Sequence, residues 1–212
     1  MRVRLATTAL LAAATIGSAH AGTIVDTFGP SQTYNTSAAD TVNYNLSNAT
    51  LGESLAEAVD PSASGVISDI AAAFYFLGSG NPTAGLTLSL ESGTAGGPTT
   101  SLWSTSFTPI RTPQVFDFTG LSISVSAGSF YWLVASTADP TGYGWNHSSA
   151  GLSSPTAYYA TSVAPTIWNP VGDVLAYSVS TGAASVPEPA TLPILCAGAL
   201  LSLLVARRPR RG

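Results

Sequence analysis

The stretch at residues 86–90 reads Leu-Thr-Leu-Ser-Leu, so that leucines alternate with small hydroxyl side chains. An alternation with a period of two predicts a strand that buries one face and exposes the other. The same pattern recurs twice further along the chain. The alternating apolar residues there are Leu121, Ile123 and Val125, and then Leu175, Tyr177 and Val179.

Two other runs, residues 70–77 and 130–135, are apolar at successive positions. Such runs predict central strands that are covered on both faces. Further strands are predicted at residues 23–28, 41–46, 101–107 and 114–118, whereas residues 51–59 fit either a short helix or another strand. With no rhythm of alternating strands and helices, the predicted fold is all-β, a two-sheet antiparallel sandwich of the jelly-roll type.

The N-terminal residues 1–21 have the three parts of a secretory signal peptide. Arg2 and Arg4 form a positive start, and residues 5–16 are an apolar stretch too short to span a bilayer comfortably. Ala19 and Ala21 place small side chains where a signal peptidase reads them. We therefore expect a signal helix that signal peptidase removes before Gly22.

The C-terminus carries a short motif, an apolar run and a basic end. The motif is Val186-Pro187-Glu188-Pro189, residues 190–206 are apolar, and four arginines follow, Arg207, Arg208, Arg210 and Arg211. Seventeen helical residues cover about 25 Å, close to the thickness of the hydrocarbon core. Because basic ends stay on the cytoplasmic side, this pattern predicts a single transmembrane helix with residues 22–185 outside the cytoplasm.

These three C-terminal elements resemble, in kind and in order, the PEP-CTERM sorting tail over residues 186–212. The resemblance implies that an exosortase-like membrane enzyme recognises the motif, and that the protein ends at the cell surface or in the extracellular matrix. Residues 55–151 also resemble the choice-of-anchor outer domains, through the segments 55–61, 67–77 and 130–136, Gly96-Gly97-Pro98 ahead of Trp103, and Trp145-Asn146. That second resemblance implies a β-sandwich fold. It implies no activity, because none is established for the choice-of-anchor domains.

The segment between the two ends is strongly acidic. Residues 22–185 contain no lysine and one arginine, Arg111, against ten Asp and Glu residues, which gives a formal charge of −9. A domain without basic patches is repelled by phosphate backbones, so a nucleic-acid partner is not expected. The acidity is explained most simply by solubility, with attraction of divalent cations as the alternative.

Between residues 22 and 185, few side chains could perform catalysis or bind a metal ion. His147 is the only histidine there and is predicted in a surface loop, so neither a catalytic triad nor a zinc site is expected. Asp139 and Asp173 lie in turns, where Asp commonly bonds its own backbone. Glu53 and Glu57 are expected to be solvated acids. We expect no enzyme and no cofactor.

Aromatic residues suggest one alternative function. Trp145 and Trp168 lie in turn-rich sequence, where exposed rings would stack on sugars, whereas Trp103 and Trp132 are expected to be packed. The leading prediction is an exported envelope or extracellular-matrix protein with a structural or adhesive role. A carbohydrate-binding module that holds extracellular polysaccharide through Trp145 and Trp168 is the first alternative, and an envelope glycan hydrolase is the second.

Overall fold

Thirteen strands cross the part of the chain that the computed structural model describes, residues 22–43, 53–152, 157–160, 167–170 and 172–182. A 3₁₀ turn, Pro30–Gln32, separates the first two. In chain order the strands are β1 (Gly22–Asp26), β2 (Tyr34–Val42), β3 (Ser54–Val59), β4 (Gly65–Phe76), β5 (Leu86–Thr94), β6 (Gly97–Phe107), β7 (Gln114–Phe118), β8 (Ile123–Val125), β9 (Tyr131–Thr137), β10 (Tyr143–Ser148), β11 (Tyr158–Ala160), β12 (Asn169–Pro170) and β13 (Tyr177–Thr181).

The strands form two antiparallel sheets, so the predicted all-β class is confirmed. The first sheet has the order β1-β13-β4-β10-β2, with β7 and β8 also paired to β4, and the second has the order β12-β11-β3-β9-β5-β6. Side chains from both sheets share one core cluster, which includes Phe74 and Trp145 from the first and Leu88 and Leu133 from the second. The two sheets therefore pack against each other through this core.

The period-two pattern at residues 86–90 forms β5, as predicted. Leu86, Leu88 and Leu90 are fully buried in the shared core, and the intervening Thr87 bonds Ser106 of β6 at 2.9 Å between hydroxyl oxygens. Val125, Tyr177 and Val179 of the other two alternating patterns are also buried.

The two doubly apolar runs are central strands, also as predicted. Strand β4 turns one face to the shared core, while Ala71 and Ala73 on its other face pack in a small cluster with Phe28. Strand β9 similarly turns Trp132 and Val134 outward into a second small cluster.

One predicted strand needs correction, and one segment that fitted either a helix or a strand is now assigned. The strand predicted at residues 41–46 begins earlier, at Tyr34, because the main chain of β2 pairs with β10 although its own sequence lacks an apolar alternation. Of the two possibilities for residues 51–59, the strand is found, since β3 covers Ser54–Val59.

The residues of both targeting segments lie outside the described ranges. These are Ala19 and Ala21 of the signal-peptidase site, the motif Val186, Pro187, Glu188 and Pro189, and Arg207, Arg208, Arg210 and Arg211. Among the residues that the structure does describe, no helix is long and apolar enough to cross a membrane.

Candidate functional site

An acidic side chain, Asp40, points into the space between the two sheets. Asp40 of β2 is the register partner of Trp145 of β10, and Trp145 in turn pairs with Phe74 of β4. Directly paired residues of antiparallel strands share a face of the sheet, and Trp145 and Phe74 belong to the shared core. The Asp40 carboxylate therefore shares the inner face, with its side chain 20% exposed.

The histidine beside this carboxylate is not on a surface loop, and that prediction is wrong. His147 lies near the end of β10, at a bulge where the partner in β2 changes from Ala39 to Asn35. Its side chain is 21% exposed, and its Nε2 atom is 3.4 Å from Oδ1 of Asp40. A bulge re-aims a side chain, and here it accompanies the approach of the imidazole to Asp40.

Asp173 completes a group of three. His147 forms an isolated antiparallel bridge with Leu175, and Asp173 precedes Leu175 by two residues in the same extended segment. One ligand atom each from Asp40, His147 and Asp173 can be chosen so that all lie within 4.8 Å of one another. Three chain segments distant in sequence thus bring two carboxylates and one imidazole together.

A fourth group, Glu57, enters the same interior from the second sheet. Leu55 and Val59 of β3 belong to the shared core, so the period of two places Glu57 on the inner face with them. Glu57 is fully buried, which contradicts the prediction of a solvated acid. Its Oε1 atom accepts the Leu175 N–H at 2.6 Å, whereas Oε2 has no hydrogen-bond partner among the described residues.

Burial makes ionisation of these carboxyl groups unfavourable. The pKa of Glu57 is raised well above its usual value by burial, and the charge of Asp40 raises it further against the opposing effect of the Leu175 N–H. Burial also raises the pKa of Asp40, although His147 lowers it. Burial and the nearby Asp40 raise the pKa of Glu53. The site therefore combines three carboxyl groups whose pKa values are raised with a single imidazole.

The tryptophan proposed as the first sugar contact is buried. Trp145 is 0% exposed, lies 4.9 Å from the Phe74 ring between centroids, and donates its Nε1–H to the Ala176 carbonyl at 3.1 Å. The prediction that Trp145 lies in a turn is wrong, and no face of its ring is available to a sugar.

The second candidate, Trp168, is partly exposed. It packs against the outer cluster of Ala56, Trp132 and Val134, and a Cβ atom added to Gly97 would come within 2.5 Å of its Cδ1. One side of the indole is thus occupied by the protein itself. Trp103 and Trp132 are packed, as predicted.

The predicted turn aspartates behave differently from each other. Oδ1 of Asp139 accepts the Thr141 N–H at 2.9 Å, in agreement with the prediction for a turn residue, and its Oδ2 accepts from Thr83 and Ala84. Asp139 is thereby fully engaged in holding two loops. Asp173 instead contributes to the group with Asp40 and His147.

Comparison with protein-family models gives no match for the chain, and comparison with curated proteins gives none either.

The sequence alone hid two members of this site. Asp40 was one of ten acids with no local pattern to distinguish it. For Glu57 a signal existed, because the alternation Leu55, Glu57, Val59 places an acid on the apolar face of a strand, and buried acids are rare unless they are paired. The signal was masked because the same residues also fitted a helix.

Proposed function

We propose that the protein is an exported surface protein of the cell envelope or extracellular matrix, with a structural or adhesive role and no enzymatic activity. In this proposal signal peptidase releases residues 1–21, and an exosortase-like enzyme then acts at Val186–Pro189 while residues 190–206 hold the chain in the membrane. The observation that carries it is the order of motif, apolar run and arginine cluster at the C-terminus, combined with a signal peptide at the N-terminus.

The finer fold belongs to the same proposal. We interpret the two packed antiparallel sheets as a jelly-roll-like sandwich, flanked before processing by a signal helix and a transmembrane helix. A domain of this kind suits an exposed location because its stability comes from an apolar core and needs no disulfide.

An adhesive surface is supported by strand β6. It is the last strand of its sheet, and five of its hydroxyl side chains are exposed, namely Thr99, Thr100, Ser101, Ser104 and Ser106. Thr99 and Ser106 also hydrogen-bond to the neighbouring β5. Hydroxyl groups hydrogen-bond readily to hydrated polysaccharide, and they do so without charge. An exposed hydroxyl-rich strand therefore favours contact with a polysaccharide matrix over binding of a substrate in a deep pocket.

The two alternatives have less support. A carbohydrate-binding module that uses Trp145 and Trp168 retains only Trp168, because Trp145 is buried. A glycan hydrolase needs two carboxyl groups on either side of a sugar, and the fully buried Glu57 cannot reach one.

Replacement of Pro187, Glu188 and Pro189 by alanine tests the sorting mechanism. We expect export to persist and C-terminal processing to stop, because alanines allow this segment to join the following helix. Mass spectrometry of the mature C-terminus provides the measurement. Pro209→Ala, a proline in the same tail but outside the motif, is the matched control and should be processed normally. A wild-type mature protein that still carries Arg207 to Gly212 would overturn the proposal.

A further inference from the structure

We propose that Asp40, His147 and Asp173 bind a divalent transition-metal ion at the edge of the space between the two sheets. The three side chains come from β2, from β10 and from the segment before β13, and their ligand atoms lie within 4.8 Å of one another. Donor atoms around a tetrahedral zinc ion are about 3.3 Å apart, given bonds of roughly 2.0–2.1 Å. Closing the group around an ion would therefore bring its most widely spaced donor atoms at most about 1.5 Å nearer to each other.

Unpartnered atoms provide the second observation. Oδ2 of Asp40, Nε2 of His147 and Oε2 of Glu57 are buried, and none of them has a hydrogen-bond partner within the described ranges. A buried polar atom without a partner is costly, and a bound ion or water is one explanation for such atoms. Oδ1 of Asn146, next to His147 in the chain, is a fourth such atom among the described residues. Glu57 is fully buried, and its other carboxylate oxygen is bonded to Leu175, two residues from Asp173.

A simple ion pair between Asp40 and His147 does not account for the group. The 3.4 Å between Nε2 and Oδ1 is longer than a normal charge-assisted hydrogen bond. Such a pair also leaves Oδ2 of Asp40 without a hydrogen-bond partner among the described residues and does not include Asp173, the third member of the group. A divalent cation can bond at the same time to Asp40, to His147 and to Asp173, which a pair of two side chains cannot do.

The donor set favours a transition metal over calcium or magnesium. Calcium and magnesium prefer sites built entirely from oxygen, whereas an imidazole nitrogen with carboxylates suits Zn²⁺, Mn²⁺ or Fe²⁺. Three protein ligands leave at least one position for water. Oε1 of Glu57 accepts the N–H of Leu175, the residue that forms the isolated bridge with His147. We therefore assign Glu57 the role of a positioning residue that holds Leu175 opposite His147.

The test uses the untagged full chain with His20→Ala, purified in mild detergent and stripped of metal with a chelator. His147 is then the only histidine, because the chain contains two. With ¹⁵N-labelled histidine, Zn²⁺ should shift the single imidazole signal and saturate at one ion per chain. Competition with a chromophoric chelator gives the affinity, and Ca²⁺ at the same concentration should leave the signal unchanged.

Variants separate this site from general attraction to an acidic surface. We expect Asp173→Asn and His147→Gln each to weaken zinc binding at least tenfold, while circular dichroism confirms that the fold is retained. Asp117→Asn, which removes an exposed acid on β7, is the matched control and should bind like the parent chain. An imidazole signal that Zn²⁺ does not shift, or equal weakening by Asp117→Asn and Asp173→Asn, would overturn the metal site. Tighter binding of Ca²⁺ than of Zn²⁺ would overturn the assignment to a transition metal.

Discussion

Oε1 of Glu57 on β3 accepts the backbone N–H of Leu175 at 2.6 Å, and this bond joins the second sheet to the segment that leads into β13 of the first. Both residues are fully buried. Because apolar side chains surround this bond, the Glu57 carboxyl group has lost its contact with water. That loss gives the stability of the protein a dependence on pH.

The first prediction concerns pH. The pKa of Glu57 is raised in the folded protein by burial, with Asp40 and Tyr177 the titratable groups beside it. For an acid with a raised folded-state pKa, the stabilisation is complete below the unfolded value of about 4.3. It is lost as the pH rises through the folded-state pKa. The metal-free protein should therefore unfold at a lower temperature at pH 8 than at pH 5.

The variant Glu57→Gln isolates that contribution. Glutamine keeps an oxygen for the Leu175 N–H but carries no charge, so at pH 8 we expect stabilisation of at least about 1 kcal/mol. This corresponds to a rise in Tm of about 2–4 °C, measured by circular dichroism with a chelator present. Asp60→Asn, at an exposed position that directly follows β3, is the control. An unchanged pH profile in Glu57→Gln would show that Glu57 is not the group responsible.

The second prediction concerns the loop clamp at Asp139. Burial opposes ionisation of Asp139, but the N–H groups of Thr83, Thr141 and Ala84 together outweigh it and lower the pKa. In Asp139→Asn the amide nitrogen cannot accept hydrogen bonds, which leaves buried N–H donors unpaired. We expect a loss of about 2–3 kcal/mol in the free energy of unfolding, measured with urea at pH 7.

The sign of the pH effect at Asp139 is opposite to that at Glu57. An acid with a lowered folded-state pKa stabilises the protein above its unfolded value and loses that contribution as the pH falls through the folded-state pKa. The difference in stability between wild type and Asp139→Asn should therefore shrink on acidification from pH 7 towards pH 3. A constant difference over this range would argue against an ionised Asp139.

Sequence patterns predicted the strands in which apolar and polar side chains alternate. The predictions failed where pairing with a neighbouring strand determines the structure. The bounds of β7 agree with the predicted residues 114–118, and the alternating leucines form β5. The start of β2 at Tyr34 was missed because the strand is held by pairing with β10, a long-range relationship that a local pattern does not contain. Residues 44–46 of the predicted strand lie outside the described ranges.

The error at Trp145 has a similar origin. Glycine beside it suggested a turn, yet Gly144 lies within β10, where a Cβ atom would come within 2.3 Å of the Tyr75 ring on the neighbouring strand. That glycine makes room for the Tyr75 ring to lie across β10. The group of Asp40, His147 and Asp173 was beyond prediction for the same reason, since only the pairing of distant strands brings its members together.

The third prediction compares the two tryptophans. Trp145→Ala removes a fully buried indole and its hydrogen bond to the Ala176 carbonyl, so we expect a loss of about 3–5 kcal/mol. Trp168→Ala removes a partly exposed ring and should cost clearly less, about 1–2 kcal/mol. Urea unfolding of the two variants measures the difference. Equal losses would contradict the described burial.

The fourth prediction uses two glycines with similar backbone conformations and different surroundings. Gly142 has φ +84° and Gly128 has φ +68°, so alanine is strained at both positions. At Gly142 the new Cβ would also come within 2.4 Å of the Val42 carbonyl oxygen, whereas at Gly128 nothing lies within 4 Å. Because the obstacle is backbone, it cannot rotate away, and β2 would have to move from the end of β10. We expect Gly128→Ala to cost about 1 kcal/mol and Gly142→Ala to cost at least about 2 kcal/mol more, measured by urea unfolding. Similar losses in the two variants would mean that β2 and the turn before β10 are not in contact as described.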